Sequence, residues 1–158
     1  MPVTFRNTEA NACGLAPGKT YKALKFTPNT PASLREADTA AITQTALDYI
    51  EGWYAGDGAR MQRALRPDLA KRAAERNEIG AGKLDQMGAM TLVDATRAGL
   101  GRTPKEKQQK DVTVLDIFEN AATAKIIAAD WIDYLHLTRC NGRWQIVNVL
   151  WQLKPKVK

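Results

Sequence analysis

The sequence predicts an α+β fold in which helices come first along the chain and an antiparallel sheet follows. Apolar residues recur with a helical period between Ile42 and Trp53, and a strand-like alternation begins after Lys110. The length of 158 residues fits one domain. No apolar run reaches the roughly 18–20 residues of a membrane-spanning helix, and no early segment has the pattern of a signal peptide. We therefore expect no membrane association and a cytoplasmic location.

The helical half of the domain follows an irregular arm. Residues 1–32 are rich in Pro, Thr, Asn and Gly without a sustained period, which predicts an arm outside a domain of residues 33–158. A capping-box pattern at 33–36 begins the first helix, which is expected to end near Gly56. Asp57 is the predicted cap of a second helix that stops before Pro67. Two further short helices are predicted, over 68–76 and 91–96.

The second half of the chain reads as an antiparallel meander. Four strand-like runs are predicted, over 112–118, 122–129, 131–140 and 143–153. Asn141-Gly142 is the typical dipeptide of a two-residue type I′ hairpin turn, so Cys140 should pair with Arg143. A register continued without interruption then sets His136 opposite Val147, Tyr134 opposite Val149 and Ile132 opposite Trp151.

This register gives the sheet two faces that are both largely apolar. One face must cover the helices, and a chain of this length has no further layer for the other. A second copy of the sheet would cover it, so we expect a homodimer. The predicted interface is the outer face that carries Leu135, Leu137, Trp144, Ile146 and Leu150. On the same face, Asp133 is expected to point outward.

Charge and cysteine content argue against several other functions. The formal net charge is +6, but the basic residues form short clusters without interleaved aromatic residues, so nucleic acid is not an expected partner. The single histidine, His136, leaves no plausible set of metal ligands. Cys13 and Cys140 do not have the spacing of a metal site and are expected to be reduced thiols, although a bridge between them is possible.

Several segments resemble a known superfamily. The stretch from Tyr49 to Asp57, with Met61 and 65–69, is similar to the opening helices of nuclear transport factor 2-like proteins. The segments 83–87, 133–137, 141–144 and 146–151 resemble its putative lumazine-binding, polyketide cyclase-like branch. The resemblance implies a cone in which a curved antiparallel sheet wraps a long helix, encloses a pocket and dimerises through its outer face.

The ketosteroid isomerases of that superfamily suggest which residues to examine. Their oxyanion-binding tyrosine falls on Tyr49 and their protonated carboxylic acid falls on His136. Their general-base aspartate falls near Ala73-Ala74, where this chain has no carboxylate, although Glu75 is close. The isomerase reaction needs a base within reach of the substrate, so the resemblance does not carry that chemistry over.

Three function classes stay open at this point, and no cofactor is predicted for any of them. The first is a protein that binds a small apolar or aromatic molecule inside the cone. Its predicted wall consists of Tyr49, Trp53, Tyr134, His136, Val147, Val149 and Trp151. The second is an isomerase, dehydratase or cyclase in which His136 is the acid/base and Tyr49 polarises a carbonyl. The third is a dimeric interaction module with a filled cone and no ligand.

Overall fold

The computed structural model describes residues 4–6, 20–22, 32–76 and 82–155. Three helices pack on one face of a curved, mixed six-stranded sheet, so the predicted α+β class is confirmed. The helices are α1 (Ala32–Ala55), α2 (Gly58–Ala64) and α3 (Ala89–Arg97). The strands of the sheet are β3 (Leu65–Arg76), β4 (Gly82–Gly88), β5 (Lys110–Phe118), β6 (Ala121–Ala128), β7 (Trp131–Cys140) and β8 (Arg143–Leu153). Their order across the sheet is β4-β3-β8-β7-β6-β5.

The predicted arm contains a small separate sheet. Strands β1 (Thr4–Arg6) and β2 (Thr20–Lys22) pair in an antiparallel manner. The remaining residues of the arm, up to 31, lie outside the described residues. The irregular character of the arm as a whole therefore stays a prediction.

Local signals in the sequence place α1 and α2 correctly. The apolar stripe of α1 is buried, and the helix stops at Gly56, whose φ of +72° is favourable for glycine. The Asp57 carboxylate accepts a hydrogen bond of 2.9 Å from the backbone N–H of Arg60, and so it caps α2 as predicted. The short helix predicted over 91–96 is also present, as the centre of α3.

The helix predicted over 68–76 is wrong, because this segment belongs to strand β3. Strand β3 lies between two partners, antiparallel to β4 and parallel to β8. Leu69, Lys71 and Ala73 alternate as buried residues along it. Pairing on both sides satisfies the backbone polar groups, and this long-range gain outweighs a weak local preference for helix. The parallel β3–β8 pair also makes the sheet mixed rather than purely antiparallel.

A β-bulge in β8 overturns the predicted register of the final hairpin. Cys140 faces Arg143 and Leu137 faces Ile146, as predicted, but Val147 is then an extra residue on β8. Beyond the bulge His136 faces Asn148, Tyr134 faces Leu150 and Asp133 faces Trp151. The predicted pairs of His136 with Val147, Tyr134 with Val149 and Ile132 with Trp151 are therefore wrong.

The bulge also exchanges the faces on which the later residues of β8 lie. Val149 and Trp151 join the face that carries Leu135 and Leu137, and this is the face that packs on the helices. Most of the residues predicted for the dimer surface are consequently wrong. Four of its members lie in the core with at most 5% exposure, namely Leu135, Leu137, Trp144 and Ile146. Leu150 is on the opposite, outer face and is 40% exposed. A homodimer through the outer face of the sheet, to which Leu150 belongs, stays a prediction.

Cys140 also differs from the sequence-based expectation. Its sulfur is disulfide-bonded, so the prediction of a reduced thiol is wrong at this position. The other cysteine of the chain, Cys13, lies outside the described residues. The cytoplasmic location stays a prediction.

Candidate functional site

A cavity of about 340 Å³ opens between the sheet and the helices. Its wall is mostly apolar, and three of the four tryptophans of the chain contribute to it. The lining residues are Tyr49, Trp53, Lys71, Met87, Leu92, Ala95, Leu100, Asp130, Trp131, Trp151 and Leu153. A concave apolar site of this size with a few polar groups is the usual form of a small-molecule pocket.

Three polar side chains form a buried cluster beside this cavity, which we call the Lys71–Tyr49–Asp133 triad, and two of them, Lys71 and Tyr49, line the cavity. Lys71 Nζ donates hydrogen bonds to the Tyr49 hydroxyl and, over 3.4 Å, to Asp133 Oδ1. The Tyr49 hydroxyl donates to the same oxygen over 3.3 Å. The exposed fractions are 8% for Lys71, 2% for Tyr49 and 0% for Asp133. The three side chains come from β3, α1 and β7, so only the folded chain assembles the triad.

Trp131 completes the hydrogen bonding of the triad. Its indole Nε1 donates to Asp133 Oδ2 over 2.7 Å, so both carboxylate oxygens have donors. Lys71 Nζ also lies 5.1 Å from the centre of the Tyr49 ring and 5.3 Å from that of the Trp151 ring. Aromatic faces attract a cation at such distances. The ammonium group is thus held by a carboxylate, a phenol and two ring faces.

Burial shifts the pKa values of two members of the triad, Lys71 and Tyr49. Removal from water disfavours the charged amine and lowers the pKa of Lys71, while the Asp133 carboxylate opposes this shift by attracting the ammonium. Burial and the nearby carboxylate both raise the pKa of Tyr49 well above its ordinary range. Lys71 therefore releases its proton more readily than a surface lysine, and Tyr49 stays protonated.

Neighbouring side chains fix the outer wall of the cavity. A Cβ atom on Gly101 would lie 2.2 Å from the ring of Trp53, so the absence of a side chain lets the backbone approach the indole. The Tyr54 hydroxyl accepts from the N–H of Ala129 over 3.0 Å and donates to the carbonyl of Gln109 over 2.7 Å. The connection between β6 and β7, which precedes Trp131, is thereby anchored to α1.

The structure brings together some of the predicted site residues. Tyr49, Trp53 and Trp151 line the cavity, as the sequence indicated. Val149 is fully buried in the core and does not belong to the cavity wall, and Val147 is half-buried at the bulge.

Two other predicted residues lie on the opposite face of the sheet. Tyr134 is 45% exposed, and His136 is exposed with its Nδ1 3.3 Å from Nδ2 of Asn148. The predicted convergence of Tyr49 and His136 on one cavity is therefore wrong. The predicted outward position of Asp133 is also wrong, because the same alternation that exposes His136 buries Asp133.

Sequence reasoning missed Lys71, Asp133 and Trp131 as members of the site. Lys71 was missed because residues 68–76 were predicted as a helix and not as a strand. It lies two residues before the position at which the isomerases have their base. Asp133 was detectable as a carboxylate that alternates with the apolar residues Leu135 and Leu137. A charged residue in such a position needs a buried partner, and that rule points to a site.

The described part of the chain offers no group of three or more His, Cys, Asp or Glu side chains that could hold a metal ion. No helix in that part is long and apolar enough to cross a membrane.

Comparisons with known proteins agree with this architecture. A nuclear transport factor 2-like protein of unknown function from Shewanella baltica has a TM-score of 0.63 and 21% identity, with coverage of 81% of this chain and 100% of that chain. A nuclear transport factor 2-like protein of unknown function from Methylobacillus flagellatus has a TM-score of 0.61 and 24% identity, with coverage of 75% and 94%. A ketosteroid isomerase-like protein from Erwinia carotovora atroseptica has a TM-score of 0.55 and 12% identity, with coverage of 75% and 98%. At these identities the likeness concerns the fold. No curated protein matches the chain.

The family model described as "Putative lumazine-binding" matches residues 37–152, which span α1 to β8. The match covers most of the chain and agrees with the helices, the curved mixed sheet and the structural neighbours. The chain therefore belongs to the putative lumazine-binding family, and its fold is that of the nuclear transport factor 2-like proteins to which it is similar.

Proposed function

We propose that this protein binds a small, flat, apolar or aromatic molecule in the tryptophan-lined cavity. The observation that carries the proposal is the Lys71–Tyr49–Asp133 triad at the wall of an otherwise apolar pocket. A buried charged cluster is costly to form, and an apolar core would be cheaper to build at this place. Such a site can bind a ligand whose aromatic rings contact the apolar wall and whose one polar edge forms hydrogen bonds with the triad.

The chemistry of the wall indicates the ligand class. Trp53, Trp131 and Trp151 offer aromatic surface, and Lys71 offers an N–H donor to a carbonyl or ring nitrogen. Lumazine, the molecule in the description of the family, combines a planar bicycle with carbonyl acceptors, so it is a suitable first probe. The open volume of about 340 Å³ supports ligand binding over the interaction module with a filled interior.

The enzymatic alternative with His136 as acid/base receives no support from the geometry. His136 and Tyr49 lie on opposite sides of the sheet, so they cannot act on one substrate. Any proton transfer in the cavity would fall to the triad.

Fluorescence offers a direct test, because three of the four tryptophans line the cavity. We expect saturable quenching on titration with lumazine or with 2-methoxynaphthalene, an uncharged aromatic probe. Ala95→Phe places a ring in the cavity and should weaken binding by roughly tenfold or more, or about 1.4 kcal/mol. Ala98→Phe, at the exposed end of the same helix, is the matched control and should bind like the wild type.

The proposal fails if neither probe quenches the fluorescence or raises the melting temperature. It also fails if both phenylalanine variants bind as tightly as the wild type, since the probe would then sit elsewhere.

A further inference from the structure

We propose that Lys71 is an amine nucleophile that captures an aldehyde or ketone bound in the cavity as an imine, with Tyr49 and Asp133 moving the protons. This inference rests on the proposed function, since the carbonyl compound must first bind between the tryptophans. It goes further by assigning a reactive residue and a substrate class to the site.

The position of Lys71 is the first argument. Of the described residues that line the cavity, Lys71 alone carries an amine. Asp133 is fully buried and is not among the residues that line the cavity, whereas Lys71 and Tyr49 are. A carbonyl group in the cavity would therefore meet Lys71 and Tyr49 rather than the carboxylate.

The hydrogen bonds around Asp133 are the second argument, because a lysine that only neutralised this carboxylate would bind it more closely. Trp131 Nε1 approaches Oδ2 to 2.7 Å, while Lys71 Nζ stays 3.4 Å from Oδ1. Lys71 instead makes its closest contact with the Tyr49 hydroxyl. Asp133 thus keeps two donors, Trp131 and Tyr49, when the amine turns toward a substrate.

The proton affinity of the amine supports the same role. Burial lowers the pKa of Lys71, which increases the neutral, nucleophilic fraction near neutral pH. The groups that face the amine are Tyr49 on α1, Asp133 on β7 and the Trp151 ring on β8, and Asp130 lies on the wall of the same cavity. Of these, Asp133 and the ring faces of Tyr49 and Trp151 favour the ammonium, and removal from water favours the neutral amine.

The reaction is balanced by a proton relay within the triad. After the ammonium has released one proton to water, the Nζ lone pair attacks the carbonyl carbon, and the carbonyl π electrons move to oxygen. Tyr49 protonates this oxygen and is reprotonated through Asp133, which accepts the proton that leaves the nitrogen. A second transfer along the same path expels the oxygen as water and forms the C=N bond. The two protons lost by nitrogen are those gained by oxygen, and no oxidant or cofactor takes part.

Reductive trapping tests the inference on the full chain. The protein is incubated with 6-methoxy-2-naphthaldehyde and sodium cyanoborohydride, which reduces an imine to a stable secondary amine, and the modified residue is identified by peptide mass mapping. We expect one adduct at Lys71, formed at least tenfold faster at pH 7 than adducts at the exposed Lys105 and Lys107. Excess 2-methoxynaphthalene, which has the same rings without the aldehyde, should protect Lys71 and leave the surface lysines reactive.

Lys71→Arg is the matched variant, since it keeps the positive charge but forms no imine. It should lose the specific adduct, while the slower adducts at Lys105 and Lys107 form as in the wild type. Labelling of the wild type that is equal at all lysines, with 2-methoxynaphthalene binding intact, would overturn the inference and leave the proposed function standing. Absence of both binding and labelling would overturn both. The protection experiment needs no variant, so it decides the question even if Lys71→Arg does not fold.

Discussion

Asp133→Asn should destabilise the protein by an amount that depends on pH. The carboxylate is fully buried, and Lys71 Nζ lies 3.4 Å from Oδ1. At an effective dielectric constant of about 20, two unit charges at this distance attract each other by about 5 kcal/mol. Removal of one partner of a buried pair costs about 3–5 kcal/mol in comparable cases, because the other charge stays behind. We therefore expect a loss near the upper end of that range at pH 7.

The variant can limit this loss by releasing the proton of Lys71. From the ordinary lysine pKa of 10.5, keeping the amine neutral costs about 1.4 kcal/mol for each pH unit below that value. The destabilisation of Asp133→Asn can therefore be at most about 5 kcal/mol at pH 7 and about 2 kcal/mol at pH 9. The folded variant binds fewer protons than its unfolded chain, so its stability rises with pH over this interval. The destabilisation relative to the wild type should therefore shrink as the pH increases.

Urea unfolding at pH 7, 8 and 9, followed by tryptophan fluorescence, measures both the loss and its slope. Asp130→Asn, an exposed carboxylate three residues earlier, is the control and should change the free energy of unfolding by less than about 0.5 kcal/mol. Adding Lys71→Met to Asp133→Asn should abolish the pH dependence of the difference. A loss in Asp133→Asn that is small, or equal at all three pH values, would refute the pairing of Lys71 with Asp133.

Two further predictions concern packing. Gly101→Ala should lower the free energy of unfolding by about 1–3 kcal/mol and change the fluorescence of Trp53, because the added Cβ would lie 2.2 Å from that ring. An unchanged urea midpoint would contradict the close approach of this backbone to the indole. Leu137→Lys should prevent stable folding, because it places an unpaired charge in the core, while Leu150→Lys on the outer face should change the unfolding free energy by less than about 1 kcal/mol. Circular dichroism and urea titration of both variants distinguish this arrangement from the reverse one, in which Leu150→Lys would be the damaging change.

The sequence alone determined the elements whose signals are local. The stripe of α1, its end at Gly56 and the cap at Asp57 each depend on residues within a few positions of one another. The alternation of apolar and polar residues along β5 to β8 and the Asn141-Gly142 turn also depend only on residues that are close in the sequence. These signals suffice for the α+β class because they record backbone preferences that hold wherever the segment lies. Tyr49 and Trp53 of the site lie on the predicted stripe of α1, whereas Trp151 lines the cavity because the bulge moves it to the helix-facing side of the sheet.

Tertiary structure decided the identity of β3 and the faces of the final hairpin. Residues 65–76 form a strand because β4 and β8 are available on its two sides, a condition that no local pattern expresses. The bulge at Val147 is a single extra residue in β8 without a signature in the sequence. Because side chains alternate with a period of two, one extra residue exchanges the faces of all that follows. The uninterrupted register grouped His136 with Trp151, and the family resemblance placed that face inside the cone. In the structure Trp151 shares the inner face with Asp133, and His136 lies outside.

The triad shows the same division most clearly. Lys71 and Asp133 are 62 positions apart, and Tyr49 and Asp133 are 84 apart. Each is an ordinary residue in its own segment, and the pKa shifts of Lys71 and Tyr49 arise only when the fold removes them from water beside Asp133. Composition and periodicity identify the segments that build the cavity. The buried charges beside the cavity depend on long-range packing, since the ion pair of Lys71 and Asp133 exists only where the fold brings the two side chains together.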